Sequence, residues 1–214
     1  MNNNVFRIRL AQTHRQRDEV SMLISKMYSW RGYESSGSMT NHPHRVTLVA
    51  SSDDATLATI TIGFDSSIGL LADDLYKSEI DVLRRQGKRL CEFIKLAVDE
   101  GVRSKYVLAS IFHLSYIYAR KVQEHTDLFI EVNPRHVKFY QKMLGFETLG
   151  EEKTNQRVNA PAVLLGLGWE YAHRKIQEFG GKPHLATGEK SLYPYFFSPL
   201  EEERIAEQLR SIDF

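Results

Sequence analysis

The chain has 214 residues, 42% of them hydrophobic and 26% charged, with a net charge of +1. That length can bury a sizeable core without a second domain. Near-neutrality gives no global pull toward nucleic acid or an anionic membrane, so an electrostatic partner has to be read from local patches.

In chain order, the polar start Met1-Asn2-Asn3-Asn4 lacks the charged and apolar regions of a signal peptide. No later run is long and apolar enough to cross a bilayer, so the expectation is a soluble, cytoplasmic protein. Phe6, Ile8 and Leu10 alternate with Arg7 and Arg9, the pattern of a strand with one wet face. From about Arg15 to Trp30, the residues Val20, Leu23, Ile24, Met27 and Tyr28 fall on one side of a helix. A loop rich in Ser, Gly, His and Pro runs from Gly32 to His44. The β-branched runs Val46 to Ala50 and Leu57 to Ile62, separated by Ser51-Ser52-Asp53-Asp54, predict an antiparallel hairpin. Lys88 to Val98 alternates again, and Ser104 to about Val122 carries a long helical pattern through Val107, Leu108, Ile111, Ser115 and Tyr118. Leu128 to Val132 reads as a strand, Asn133-Pro134 breaks it before an amphipathic helix, and Phe146 to Leu149 and Ala162 to Leu167 read as closing strands. Ser198-Pro199-Leu200-Glu201 sets a cap residue, a first-turn Pro and a Glu three after the cap, opening a final helix.

Within the alternating run Arg89-Leu90-Cys91-Glu92-Phe93-Ile94-Lys95-Leu96-Ala97-Val98-Asp99, Glu92 falls on the face of Leu90, Ile94, Leu96 and Val98. A carboxylate on an apolar face has to be paired, protonated or chemically engaged. Desolvation raises its pKa toward the range where it can take a proton from an ammonium nucleophile near neutrality. An ion pair with Lys95, Arg89 or another base is the alternative, and the residues leave both open. Cys91, the single cysteine, excludes an internal disulfide and reads as a buried, inert thiol. The histidines predict no metal site, because His42 and His44 form the only close pair and have no third ligand nearby. Nor does any Ser/His/Asp arrangement stand in a recognisable local sequence.

The stretch from Glu131 to Glu147 reads as strand, Asn-Pro break, helix and Gly-Phe turn, and it resembles the last motif of the GNAT acyltransferases. In that family the Asn opens a helix whose Tyr faces the thioester sulfur, and the Gly-Phe pair restarts the sheet. Tyr140 follows Asn133 at the family's spacing of seven, but Gly145 follows Tyr140 by five where common acetyltransferases have four, which points to a specialised branch. Glu92-Phe93-Ile94-Lys95-Leu96-Ala97-Val98 is similar to the Glu-x-(Ser/Thr)-Arg-x-Ala-Val strand of acyl-homoserine-lactone synthases, with Ile94 and Lys95 departing from it. From about Arg15 to Leu209 the chain more closely resembles the FeeM-type N-acyl amino acid synthases, through Tyr28 to Tyr33, Gly69 to Asp73, Asn159 to Leu165 and Leu192 to Phe197.

The resemblance implies an α/β GNAT fold: a mixed central sheet flanked by helices over residues 1–170, with a C-terminal helical extension over 171–214 packed on the same domain. It implies direct N-acyl transfer from a long-chain acyl thioester to the α-amine of an amino acid, with no tightly bound cofactor. A homoserine-lactone-type signal synthase, an acetyl-coenzyme A N-acetyltransferase and a catalytically silent acyl or carrier sensor are the alternatives. Glu92 and Tyr140 are the expected catalytic residues, the first as base and the second as donor to the departing thiolate. Core packing beside Phe139 and Phe146 is the other reading of Tyr140. Leu96, Val98, Val102, Arg103 and Ser104 are expected against the pantetheine of the donor, and Arg31 and Asp65 against the acceptor, though residues of that pair's types are more often loop-turn or surface salt-bridge residues. Asp99-Glu100-Gly101-Val102-Arg103-Ser104 has one Gly and two acids where coenzyme A enzymes carry a Gly-rich pyrophosphate loop, so an acyl carrier protein is the expected donor, with acyl-coenzyme A as the alternative. Arg84, Arg85, Lys88 and Lys105, with Arg89 and Arg103 adjacent in sequence, would then dock the carrier; solvation of the surface explains such a charge cluster as well.

Overall fold

The computed structural model describes residues 6–30, 32–33, 42–52, 55–102 and 104–211. Eight strands form: β1 (Arg7–Leu10), β2 (Arg45–Ser52), β3 (Ala55–Phe64), β4 (Leu90–Val98), β5 (Asp127–Val132), β6 (Glu147–Thr148), β7 (Lys153–Asn155) and β8 (Ala160–Gly168). They assemble in the order β1-β2-β3-β4-β5-β8-β6, with β7 also paired to β8. β4 and β5 run parallel, and the other pairs are antiparallel. Among the described residues six α-helices surround the sheet: α1 (His14–Trp30), α2 (Asp73–Arg85), α3 (Lys105–Tyr116), α4 (Val137–Leu144), α5 (Trp169–Phe179) and α6 (Pro199–Arg210).

The apolar stripes decide which helix covers which face. α1 buries Val20, Leu23, Ile24 and Met27 against Val49 and Ala97. On the same face α2 sets Tyr76 and Ile80 among Leu90, Phe129 and Leu164. The opposite face carries the larger core, where Phe112 of α3, Ile176 of α5 and Leu209 of α6 join Phe93, Leu128 and Leu165. Each fully buried aliphatic or aromatic side chain of this kind stabilises the fold by about 1.5–3 kcal/mol.

The predicted hairpin is β2–β3, and α1 buries four of its five expected residues. α6 opens on a complete capping box, with Ser198 accepting from the Glu201 N–H and Glu201 reaching back to the Ser198 N–H. The expected helix from Ser104 to Val122 is α3 continued by a π-helical stretch, Ile117–Val122. No element is predicted between Ile62 and Lys88, yet α2 forms there. Its signals are Asp73 and Asp74 in the first turn, Arg84 and Arg85 in the last, and buried Tyr76 and Ile80 four residues apart. Among the described residues no helix is long and apolar enough to cross a membrane.

Candidate active site

The sheet opens where the parallel pair of β4 and β5 ends. β4 pairs with β5 at Leu90↔Asp127, Cys91↔Leu128 and Glu92↔Phe129. Beyond that point β4 stays on β3 through Val98 while β5 stays on β8 through Val132, so the two strands part. A cavity of about 500 Å³ fills the gap, lined by Glu92, Leu96, Val98, Glu131, Tyr140 and Arg157 among others. Phe112 of α3 and Phe139 of α4 supply apolar wall.

A β-bulge shapes the β4 side of the cleft. Thr59 pairs with Ala97 and Thr61 with Ile94, so Lys95 and Leu96 both stand against Ile60, and Lys95 takes a φ of 52°. The bulge corrects the expected alternation. Glu92 shares its face with Leu90, Ile94 and Ala97, whereas Val98 lies on the face of Cys91 and Phe93 and Leu96 lies in the bulge itself. No glycine marks this position in the sequence, so alternation alone could not locate it.

Glu92 is 3% exposed. The Leu71 N–H donates to its Oε1 at 2.8 Å and the Ala72 N–H to its Oε2 at 3.1 Å. Burial raises its pKa, and those two backbone amides pull back against the rise. The carboxylate is therefore fixed in place by the loop before α2, inside the cleft. Cys91, on the opposite face, is fully buried, and burial pushes its thiol up.

Tyr140 reaches the same cavity from α4. Asn133 accepts from the Arg135 N–H at 3.2 Å and starts the helical segment, with Pro134 in its first turn. Gly145 closes α4 in the left-handed region at φ 82°, and a Cβ there would fall 2.2 Å from the Tyr171 ring. Tyr140 lies in the cleft, edge-on to Phe112 at 6.3 Å and Phe146 at 5.7 Å.

The remaining expected site residues divide. Leu96 and Val98 line the cavity. Val102 packs on the large core, and Ser104 is the exposed N-cap of α3. Arg31 and Arg103 lie outside the described residues. Asp65 is away from the cavity lining and is bound by Arg84, Nε to Oδ2 at 2.7 Å and the second guanidinium nitrogen to Oδ1 at 2.8 Å. Arg84 also pairs with Asp73 and Asp81, each at 2.7 Å, and these contacts, Asp73 first and Asp65 next, raise its pKa. The structure thus ties Asp65 to α2 rather than to an acceptor and withdraws Arg84 from docking, because three carboxylates surround one guanidinium that is 22% exposed.

The other basic residues also separate. Lys88 pairs with Asp127 at 3.6 Å and Arg89 with Glu124 at 3.0 Å. Together with exposed Arg85 they sit at the Leu90 end of β4, whereas Lys105 opens α3 beyond its Val98 end. β4 spans roughly 30 Å between them. At the Val98 end Asp99 accepts from the Gly101 N–H at 2.9 Å and pairs with Lys26 at 2.8 Å.

Three cleft residues escape the sequence reading. Glu131 lies on β5, and Asn155 and Arg157 follow along β7 and its turn. Asn155 Nδ2 donates to Glu131 Oε2 at 2.9 Å, and Arg157 pairs with the same oxygen. Glu131 carried a signal, an acid inside the apolar run Leu128 to Val132, of the same kind as Glu92.

A mixed sheet parted at a parallel pair, a bulged strand beside the gap and a cleft joining a buried carboxylate to a helix tyrosine define a GNAT-fold N-acyltransferase. The family described as N-acyl amino acid synthase FeeM matches residues 19–168, and the chain belongs to that family. The solved structure of FeeM, an N-acyl amino acid synthase from uncultured soil microbes, is 27% identical, with a TM-score of 0.73 over 80% of this chain and 96% of that one. The acyl-homoserine-lactone synthase LasI shares the fold at 11% identity and a TM-score of 0.56, over 78% of this chain and 91% of its own. An acyl-CoA N-acyltransferase from Pseudomonas aeruginosa does so at 10% identity and 0.53, over 76% and 97%. Among curated protein sequences nothing matches significantly.

Proposed function

We propose that the protein joins a long-chain acyl group, delivered as a thioester on acyl carrier protein, to the α-amine of an amino acid. The observation that carries this reading is the buried, amide-held carboxylate of Glu92 facing the gap between β4 and β5, in a chain of the FeeM family. The thioester lies along the open edge of β4, with backbone N–H groups beyond the bulge receiving the carbonyl oxygen as its charge develops. Glu92 takes a proton from the acceptor's ammonium group, the freed nitrogen bonds to the carbonyl carbon, and as the carbon–sulfur bond breaks the nitrogen gives up its second proton to solvent. The phenol of Tyr140 protonates the departing thiolate, whose pKa of about 8.5 matches a phenolic donor. No covalent acyl-enzyme is needed.

The turn from Asp99 to Gly101 favours a carrier protein over coenzyme A. Its carboxylate occupies an amide that would cradle a pyrophosphate and adds like charge beside Glu100. The carrier presents a single phosphate on its pantetheine and an acidic surface, which exposed Lys105 complements. The test is turnover of one acyl chain on acyl carrier protein and on coenzyme A with a mixture of amino acids, products read by mass spectrometry. An N-acyl amino acid formed faster from the carrier is expected. Equal rates from both donors refute the carrier assignment, and acyl-homoserine lactone from S-adenosylmethionine, or acetylation from acetyl-coenzyme A alone, refutes the whole reading.

A further inference from the structure

Glu131 is an acid of the cleft with no part in the chemistry above. It follows Phe129 by two on β5, and Phe129 is the partner of Glu92, so both carboxylates stand on the face covered by α1 and α2. The aromatic wall of Phe112 belongs to the opposite face. The cleft therefore has an acidic side and an apolar side, and an acyl chain can occupy only the second at low cost.

One oxygen of Glu131 is held and the other is unpaired. Oε2 is held by Asn155 and Arg157. Oε1 is buried and has no hydrogen-bond partner among the described residues. A buried carboxylate oxygen left bare carries a full desolvation penalty, so a donor supplied by a ligand gains more there than at a solvated surface. Arg157 also donates to the Leu71 carbonyl at 2.8 Å and pairs with Asp74. It thereby links Glu131 to the same loop whose Leu71 N–H holds Glu92. Both carboxylates are braced by one structure, which keeps their separation fixed.

We propose that Glu131 Oε1 is the docking point of the acceptor's primary ammonium group, beside Glu92. The inference rests on the amine-acceptor reading above and adds to it a named contact. An ammonium carries three donors. Glu131 holds one and Glu92 removes another, and rotation about the hydrogen bond to Glu131 then turns the lone pair from Glu92 toward the thioester in the gap. The surroundings agree: burial first, then Glu92 of β4 and Asp74 of α2, push the Glu131 carboxyl up to about 7, against Arg157 and Asn155. An arriving cation offsets that burden.

The test compares wild type with Glu131→Gln and Glu131→Asp, measuring KM for the acceptor amino acid, KM for the acyl donor, inhibition by the deamino analogue of that amino acid, and thermal unfolding. Glu131→Gln should raise the acceptor KM roughly 10–100-fold, with donor KM, analogue inhibition and melting temperature close to wild type. Glu131→Asp, which keeps the charge on a shorter arm, should fall between. An unchanged acceptor KM overturns the proposal. So does a parallel rise in donor KM with a lowered melting temperature, which would make Glu131 only an anchor for Arg157 and Asn155. If wild type acylates simple primary amines and no amino acid, the amino-acid reading fails by itself, and the same KM comparison on the accepted amine decides the ammonium site.

Discussion

Gly63 stands directly across the β3–β4 ladder from Glu92, and a Cβ added at Gly63 would fall 2.9 Å from Glu92 Oε1 and 3.0 Å from its Cγ. Gly63 is not among the glycines with positive φ, so space rather than backbone conformation requires a glycine here. Gly63→Ala should push the carboxylate off the Leu71 and Ala72 amides. The expected result is a fall in kcat of about tenfold or more, on the scale of a small misplacement of a reacting group, with a stability loss of about 1–3 kcal/mol from overpacking. Steady-state kinetics beside urea unfolding checks both, and a wild-type kcat would show that the carboxylate's position is immaterial.

Glu92→Gln keeps the shape and one acceptor oxygen, so the loop before α2 should keep one of its two amide bonds and the fold should survive. As the general base is lost, kcat should fall by roughly 10²–10⁴. A base acts only when ionised, and burial raises the Glu92 pKa above the ordinary 4.5. Wild-type activity should therefore climb with pH through an ionisation above that value, and Glu92→Gln should lose this limb. A pH–rate profile of the variant that kept it would assign the ionisation to another group.

What the sequence revealed and what it hid follow from the range of the contacts. Glu92 was legible because an acid in an apolar alternating strand is a local signal, and the Asn133 to Phe146 segment because its cap, helix and Gly turn are local too. Asp65 and Arg84 meet only because α2, which the pattern did not announce, folds back across the start of β4. The basic residues from Arg84 to Lys105 look like one patch in the sequence, and an extended β4 pulls them to opposite ends. The bulge at Lys95 places a non-glycine residue at positive φ and gives no compositional warning. Glu131 had the same signal as Glu92, but the partners that hold its Oε2, Asn155 and Arg157, lie more than twenty residues further along.

Charge changes at the two ends of β4 should behave differently. Lys105 is exposed beside the Val98 end of the cleft, so Lys105→Glu should raise the KM for an acyl carrier protein severalfold, and added salt should shrink the difference as screening sets in. Arg85→Glu, at the other end, should leave that KM unchanged. Arg84→Met should act on stability instead. It strips the partner from Asp65, Asp73 and Asp81, and breaking such a partly buried network costs about 2–4 kcal/mol. Thermal unfolding together with carrier titrations separates the cases; a carrier KM that rises only for the Arg85 and Arg84 variants would move docking to the Leu90 end.

The C-terminal helix is held by a buried contact that acid should weaken. His113 of α3 and Glu202 of α6 are both 0% exposed, and His113 Nε2 lies 2.9 Å from Glu202 Oε2. The Phe197 N–H donates to His113 Nδ1 at 2.9 Å, so Nδ1 is an acceptor and the ring is neutral, with its proton on Nε2. Burial lowers the His113 pKa below 6.5 despite the opposing carboxylate. For Glu202 burial acts upward, but the bonds from His113 and Lys121 outweigh it and its pKa ends below 4.5. Both folded pKa values lie below the unfolded ones, so the unfolded chain binds more protons and stability falls as pH drops, first from about 6.5 through His113 and then below about 4.5 through Glu202. The melting temperature should therefore decline between pH 7 and pH 5. His113→Gln, which retains a donor but cannot titrate, should melt lower at pH 7 and show a flatter decline across that interval. A slope unchanged in the variant would place the acid sensitivity elsewhere in the fold.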